Sequence, residues 1–172
     1  MIRAVFPGTF DPIHYGHIDI ARRAVRLFDE LIVAVFDRPL KSLMFDPEER
    51  IYLVRQAFLD EPRIKVIGYS GLTVDFCRKV DAQVIVRGLR VFSDFEFEFR
   101  MALANHRLVP DIESVALITN EEHTFLSSTT VREIAMLQGD VSSMVPEHVE
   151  EALKRKIIET SDGLVPPNAL RD

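Results

Sequence analysis

The sequence has no hydrophobic run long enough to cross a membrane. In the first half of its 172 residues the longest unbroken apolar run is 31–36, whereas a membrane helix needs about 20 apolar residues. The segment ahead of Pro7 holds one arginine and too few apolar residues for a signal-peptide core of about 7 to 15 residues. We therefore expect a protein that stays in the cytoplasm and has no membrane partner.

The sequence also lacks an excess of positive charge and has a single cysteine. It carries 21 Lys and Arg against 27 Asp and Glu, a formal net charge of −6 with neutral histidine. Binding nucleic acid by bulk electrostatics needs the opposite balance, so no nucleic-acid partner is expected, although a few placed cations can still hold a small anion. Cys77 cannot form an internal disulfide, and its apolar neighbours indicate a core residue.

The order of the apolar segments predicts an α/β fold. Five short runs of strand length, at 2–6, 31–36, 63–67, 84–86 and 113–118, alternate with segments of helical period. This alternation is typical of a Rossmann-like, doubly wound sheet of five parallel strands with helices on both faces. We expect a single domain over residues 1–158 and a flexible C-terminal tail over residues 159–172.

Capping patterns predict where two of the helices begin. Asp46 and Glu49 have the spacing of a capping box, in which each side chain accepts a hydrogen bond from the backbone of the other residue. Ser93 and Glu96 have the same spacing. The segment 92–103 alternates like a strand at its centre, but its larger apolar period favours a helix that starts at this second box.

Ligands of a doubly wound sheet bind beyond the carboxyl ends of the strands, and the residues expected there are chemically unusual. No segment matches the GxGxxG dinucleotide fingerprint or the GxxxxGK[ST] phosphate loop. Instead, His14 and His17 stand three residues apart at a helix start, with Gly16 between them. The pair could face a ligand or could cap the helix, and a metal site would need a third ligand at suitable spacing.

Cations and hydroxyls follow the other predicted strands. Arg38 and Lys41 come after the second strand, and Arg87 and Arg90 come after the fourth. The guanidinium fork matches phosphate oxygens. The hydroxyl-rich run 127–132 precedes a helix, where it could either cap the helix or contribute to an anion site. Together these groups predict a phosphate-binding edge.

These motifs resemble a known enzyme family. Residues 7–12, the HxGH tetrad 14–17 and the SSTxxR run 127–132 are similar to the nucleotidyltransferase superfamily that shares its HxGH motif with class I aminoacyl-tRNA synthetases. Within that superfamily, residues 41–50 and 87–98 resemble bacterial phosphopantetheine adenylyltransferases. The resemblance implies adenylyl transfer from ATP to 4′-phosphopantetheine, which gives dephospho-coenzyme A and pyrophosphate in the penultimate step of coenzyme A synthesis.

The resemblance also implies which residues form the site. The catalytic residues would be His17, Lys41 and Arg90. The acceptor would be bound by Thr9, Lys41, Leu72, Thr73 and Arg87. The ATP site would comprise Thr9, Phe10, His17, Gly88, Leu89, Arg90, Glu98, His123, Thr124, Phe125, Leu126, Ser127, Ser128 and Thr129. The expected cofactor is Mg²⁺ on the ATP phosphates, with no metal ligand from protein side chains, and the family implies a homohexamer with coenzyme A as a feedback inhibitor.

The attacking phosphate monoester is already an anion at neutral pH, so the reaction needs no strong base and no covalent nucleophile. We therefore expect direct in-line attack, with His17 stabilising the transition state. Two alternatives stay open. A related nucleotidyltransferase for another acceptor, such as nicotinate mononucleotide, would share HxGH and SSTxxR but lack the signature at 87–98. A non-catalytic nucleotide-binding regulator would not need His17 and Lys41.

Overall fold

One parallel sheet organises the molecule. The computed structural model describes residues 1–37 and 42–162. Its strands are β1 (Arg3–Gly8), β2 (Glu30–Phe36), β3 (Ile64–Tyr69), β4 (Val84–Leu89) and β5 (Glu113–Ile118). They are ordered β3-β2-β1-β4-β5, and every neighbouring pair is parallel. The predicted five-stranded, doubly wound sheet is confirmed, and its strand order reverses between β1 and β4.

Helices connect the strands. They are α1 (Tyr15–Ala24), α2 (Pro47–Ala57), α3 (Thr73–Lys79), α4 (Phe92–Leu108), α5 (Ser128–Met136) and α6 (Glu147–Asp162), with a 3₁₀ turn at Glu121–His123. Helix α6 extends past residue 158, the predicted end of the domain, and residues 163–172 of the predicted tail lie outside the described residues. Within the described ranges, no helix is both long enough and apolar enough to span a membrane.

The core lies in two clusters on opposite faces of the sheet. Ala4 and Phe6 of β1 belong to the larger cluster, whereas Val5 between them belongs to the smaller one. Successive strand side chains point to opposite faces, so both faces of the sheet are covered. Cys77 is buried in the smaller cluster, where burial raises the pKa of its thiol to about 12. Its prediction as a core residue is confirmed.

The two predicted capping boxes differ in outcome. At the start of α2, Asp46 Oδ1 accepts from the Glu49 N–H and Glu49 Oε2 accepts from the Asp46 N–H, each at 2.8 Å. At α4 the prediction of a helix is confirmed, but Val91 occupies the N-cap, so the predicted Ser93 box is wrong. The carboxylate that accepts a backbone N–H at this helix start is Asp94, which bonds the Arg90 N–H at 3.1 Å.

Candidate active site

A cleft of about 890 Å³ opens where the carboxyl ends of β1 and β4 meet. This is the point at which the strand order reverses, the usual ligand position in such sheets. Most of the site residues predicted from the sequence line it, although they come from distant parts of the chain. These are Thr9, Phe10, His17, Leu72, Thr73, Arg87, Gly88, Leu89, Arg90, Glu98, Ser127, Ser128 and Thr129.

Strand β4 runs further than the pattern predicted, so Arg87, Gly88 and Leu89 are its last residues rather than a loop after it. Gly88 lies against α1, because a Cβ at this position would come within 3.2 Å of the Ile20 side chain. Arg87 therefore reaches the cleft from a rigid, hydrogen-bonded strand.

Four predicted site residues in the described part of the chain do not line the cleft, and a fifth cannot be placed. Lys41 lies outside the described residues. His123, Thr124, Phe125 and Leu126 are not among the residues that line the cleft. The Leu126 side chain is almost fully buried, while its backbone carbonyl accepts a hydrogen bond from Arg90 Nη1 at 2.7 Å. Leu126 thus acts on the site through its backbone.

His14 and His17 form a reciprocal cap at the start of α1. His14 is the N-cap residue, and its Nδ1 accepts from the His17 N–H at 3.4 Å, while His17 Nδ1 accepts from the His14 N–H at 3.3 Å. The two rings stack with their centroids 3.7 Å apart. A Cβ on Gly16 would lie 3.0 Å from the His14 ring, so glycine permits this packing. Because both Nδ1 atoms accept, each neutral ring carries its proton on Nε2.

Both histidines are neutral at physiological pH. Burial, followed by the charges of Arg90 and His123, lowers the pKa of His14 to about 3. Burial, followed by His14, Arg90 and Arg87, holds the pKa of His17 well below its ordinary value. The sequence left two alternatives for His17, a helix cap or a ligand contact. The two are compatible, because the capping bond uses Nδ1 and leaves the Nε2–H group of the neutral ring as a donor.

The Arg87 side chain is held by two other elements. Its Nε and Nη2 donate to the two carboxylate oxygens of Glu98 at 2.8 and 2.6 Å, and its Nη1 donates to the Pro7 carbonyl at 2.9 Å. A guanidinium has five N–H groups, so two are not used by these three bonds to described residues and can bind an anion. Glu98 was predicted in the ATP site, but in the structure its carboxylate contacts the arginine predicted to bind the acceptor.

Arg90 is held in a similar way. Its Nε donates to Asp94 Oδ2 at 3.1 Å, and its Nη1 donates to the Leu126 carbonyl at 2.7 Å. This second bond connects the end of β4 with the chain that leads into α5. Arg90 therefore lies between the two parts of the site predicted to hold ATP.

Helix α5 begins in the cleft wall. Ser127 is its N-cap, with Oγ accepting from the Thr130 N–H at 3.0 Å, and Ser128 Oγ donates to the Pro12 carbonyl at 2.8 Å. The capping alternative is thus confirmed for Ser127. The positive end of the α5 dipole lies at the cleft with Ser128 and Thr129, which favours bound anions.

Arg50 is a residue of the site's framework that the sequence reasoning missed. It is fully buried, and its Nη1 donates to the carbonyls of Thr9 at 2.8 Å and Phe36 at 2.7 Å, while its Nε donates to Phe45 at 3.2 Å. It therefore joins the chain after β1 to the end of β2. The sequence did contain a signal for this role, because Arg50 lies one helical turn before Val54 on the buried face of α2.

Asp11 is the second buried charge under the cleft. Its carboxylate oxygens accept from the N–H groups of Met44 and Phe45, both at 2.9 Å. Arg132 approaches it at 3.4 Å and also donates to its backbone carbonyl. Arg132, the arginine of the SSTxxR run, is thus bonded to the loop after β1.

The donors in the cleft suit phosphate groups. They are guanidinium N–H groups, a neutral imidazole, hydroxyls and a helix N-terminus, and its carboxylates Asp94 and Glu98 are both bonded to arginine. Within residues 1–37 and 42–162, no group of three His, Cys, Asp or Glu side chains could hold a metal ion.

The comparisons with known proteins agree with this chemistry. A family model described as cytidylyltransferase-like matches residues 5–134. A phosphopantetheine adenylyltransferase of Roseiflexus sp. (strain RS-1) is 56% identical over 155 residues, which cover 90% of this chain and 97% of that protein. Another, from Cupriavidus taiwanensis, is 51% identical over 157 residues, which cover 91% of this chain and 98% of that protein.

A solved structure shares the fold at much lower identity. It is a Vibrio parahaemolyticus protein designated a nicotinate-nucleotide adenylyltransferase, with a TM-score of 0.67 and 21% identity, and the match covers 90% of this chain and 99% of that one. At this identity the likeness bears on the fold alone.

Proposed function

The chain belongs to the cytidylyltransferase-like family and, within it, to the phosphopantetheine adenylyltransferases, and from this premise we propose how its cleft transfers the adenylyl group of ATP to 4′-phosphopantetheine. The products are dephospho-coenzyme A and pyrophosphate. The observation that carries the proposal is the convergence of Arg87, Arg90, His17 and the N-terminus of α5 on one cleft. Each of these groups donates hydrogen bonds, and each reactant carries phosphate.

Two arginines divide the phosphates between them in this proposal. Arg87 keeps two N–H groups beyond its bonds to Glu98 and Pro7, and these bind the acceptor phosphate together with Thr9 and Lys41. Arg90 binds the ATP phosphates with the N-terminus of α5, where Ser128 and Thr129 line the cleft. Leu72 and Thr73 also line the cleft, and we assign them to the pantetheine arm of the acceptor.

His17 stabilises the charge that develops at the α-phosphate. Its pKa is held well below the ordinary value by burial, so the ring is neutral, and its Nε2–H donates a hydrogen bond without moving a proton. A donor fixed before the reaction has no reorganisation to make as the charge grows. The cap with His14 provides this fixation, because it engages His17 Nδ1.

The attack itself is direct. The acceptor phosphate is already an anion, so positioning and charge stabilisation are the main tasks of the protein. Two side chains that could serve as nucleophiles are committed elsewhere, since Cys77 is buried in the core and Ser128 Oγ donates to the Pro12 carbonyl. We therefore propose in-line transfer without a covalent enzyme intermediate.

Magnesium is the proposed cofactor. Bound to the ATP phosphates, it would supply charge neutralisation for the departing pyrophosphate. Arg90 and the N-terminus of α5 would orient the same phosphates from the protein side. The carboxylates of the cleft are bonded to arginines, which is consistent with a cation that arrives on the nucleotide.

We further propose a cytoplasmic homohexamer that is inhibited by coenzyme A. The resemblance to the family supports these expectations. Half-exposed Phe95, Phe97 and Phe99 on α4 offer apolar surface for assembly. Coenzyme A shares the pantetheine arm and a nucleotide with the reaction product, so it would compete for the same cleft.

The proposed role of His17 is tested by pyrophosphate release from ATP and phosphopantetheine. Replacing His17 with alanine should lower kcat by roughly 10² to 10³ or more, the usual cost of removing one transition-state donor. His106→Ala is the matched control, because His106 is exposed on α4 and does not line the cleft. Near-normal kcat in the His17 variant would refute the role, and ATP binding without turnover in the unsubstituted protein would favour the regulator.

A further inference from the structure

Helix α4 carries two carboxylates that contact the two arginines of the cleft. Asp94 and Glu98 are four residues apart, so they lie on the same face of the helix. Asp94 accepts from Arg90 Nε at 3.1 Å, and Glu98 accepts from Arg87 Nε and Nη2 at 2.8 and 2.6 Å. One helical face therefore contacts both predicted phosphate-binding cations.

A third element completes the support of each arginine. Arg87 Nη1 donates to the Pro7 carbonyl in β1, and Arg90 Nη1 donates to the Leu126 carbonyl ahead of α5. Each guanidinium is thus bonded to a carboxylate on one side and to a backbone carbonyl on the other. Helix α4 supplies the carboxylate for both arginines, whereas the two carbonyls come from different segments.

The support leaves both cations accessible to a ligand. The side chains of Arg87 and Arg90 are 33% and 36% exposed, while those of Glu98 and Asp94 are 14% and 22% exposed. The carboxylates are therefore the more buried partners, and the arginines present the open edge of each pair. All four residues line the cleft.

We propose that Asp94 and Glu98 are positioning residues, Glu98 for the arginine that binds the acceptor phosphate and Asp94 for the arginine that binds ATP. The proposal rests on the proposed function of the cleft. It gives Glu98 a role different from the ATP contact that the family resemblance implied. It also makes α4 the element that sets the geometry between the two phosphate subsites.

The physical reason is preorganisation. A long arginine side chain has many rotamers, and ordering it only when the ligand binds reduces affinity. A guanidinium already fixed by a carboxylate and a carbonyl presents its remaining N–H groups in one direction. Loss of Glu98 should therefore weaken binding of the acceptor phosphate, and loss of Asp94 should weaken binding of ATP. Each loss should leave binding of the other substrate nearly unaffected.

The experiment measures KM for each substrate separately in two isosteric variants, Glu98→Gln and Asp94→Asn. Glu98→Gln should raise KM for phosphopantetheine about tenfold and leave KM for ATP within about twofold, because it weakens a charged hydrogen-bonded pair. Asp94→Asn should give the opposite split. Glu96→Gln is the control, since Glu96 is 71% exposed on the same helix and its closest approach to Arg100 is 3.9 Å.

A purely structural role would give a different result. General loosening of α4 would raise both KM values together and lower the melting temperature, whereas positioning gives opposite substrate-specific changes at a nearly unchanged melting temperature. If Glu98→Gln folds poorly, Glu98→Asp, which keeps the charge and shortens the reach, provides the same comparison.

The outcomes separate this proposal from the function on which it rests. Absence of turnover with phosphopantetheine in the unsubstituted protein would contradict the function, and calorimetric binding of each substrate alone would still test the positioning. Turnover in the unsubstituted protein with no split between the variants would overturn the positioning alone. If Glu98→Gln raised KM for ATP but not KM for phosphopantetheine, the positioning role would be wrong and direct contact between Glu98 and ATP would be favoured.

Discussion

Mild acidification should destabilise the protein through His14. Burial lowers the pKa of His14 to about 3 in the folded protein, whereas an unfolded histidine titrates near about 6.5. Between these values the unfolded chain binds a proton that the folded protein does not. Stability therefore falls as the pH decreases below about 6.5. His17 contributes in the same direction, because its pKa is also held low.

The size of the effect follows from the two pKa values of His14. Between these two values, each decrease of one pH unit lowers the free energy of unfolding by about 1.4 kcal/mol for one group. Lowering the pH from 7 to 5 therefore lowers it by about 2 kcal/mol through His14 alone. Glu30 and Asp94 have lowered pKa values, so the stability they contribute is lost only at lower pH. These two carboxylates therefore contribute little to the change in stability between pH 7 and pH 5.

Urea unfolding at pH 7, 6 and 5, at one protein concentration, measures this loss. His14→Asn is the informative variant, since asparagine is a strong N-cap residue that does not titrate. From pH 7 to pH 5, the free energy of unfolding should decrease less in the variant than in the unsubstituted protein, and the difference should be about 2 kcal/mol. An identical pH slope in both proteins would refute the buried, neutral state of His14.

Two further predictions concern the framework of the site. Arg50→Met should lower the free energy of unfolding by about 3 kcal/mol or more, because it removes a fully buried side chain and leaves the carbonyls of Thr9, Phe36 and Phe45 without this donor. A loss below about 1 kcal/mol in urea unfolding would contradict this. Ser127→Ala should lower the free energy of unfolding by about 1 kcal/mol, because it removes the N-cap of α5. Ser142→Ala, at an exposed position, is the control. Equal stability of the two variants would argue against the cap.

The sequence was sufficient to predict the sheet and most of the cleft. Buried parallel strands appear as short apolar runs, and ligands of such sheets lie at the strand ends, so His17, Arg87 and Arg90 could be placed together without coordinates. The error at Ser93 has a local cause. A capping pattern states only a spacing, and the N-cap of the helix is Val91, two residues earlier than predicted.

What the sequence could not predict are the contacts made by packing. The pairing of Glu98 with Arg87 depends on how α4 lies against β4, which no local pattern specifies. The bonds of Arg50 join strand ends that are distant in sequence, and they end on backbone carbonyls, which every residue possesses. Hydrogen bonds to the backbone leave no signature in the identity of the partner residue.

The acceptor preference tests the central claim most directly. Pyrophosphate release with ATP should be measured with 4′-phosphopantetheine and with nicotinate mononucleotide, and kcat/KM compared between them. The account predicts efficient turnover with phosphopantetheine and a value at least about 10³-fold lower with nicotinate mononucleotide, as expected for a site built around one acceptor. Equal or greater kcat/KM with nicotinate mononucleotide would contradict it.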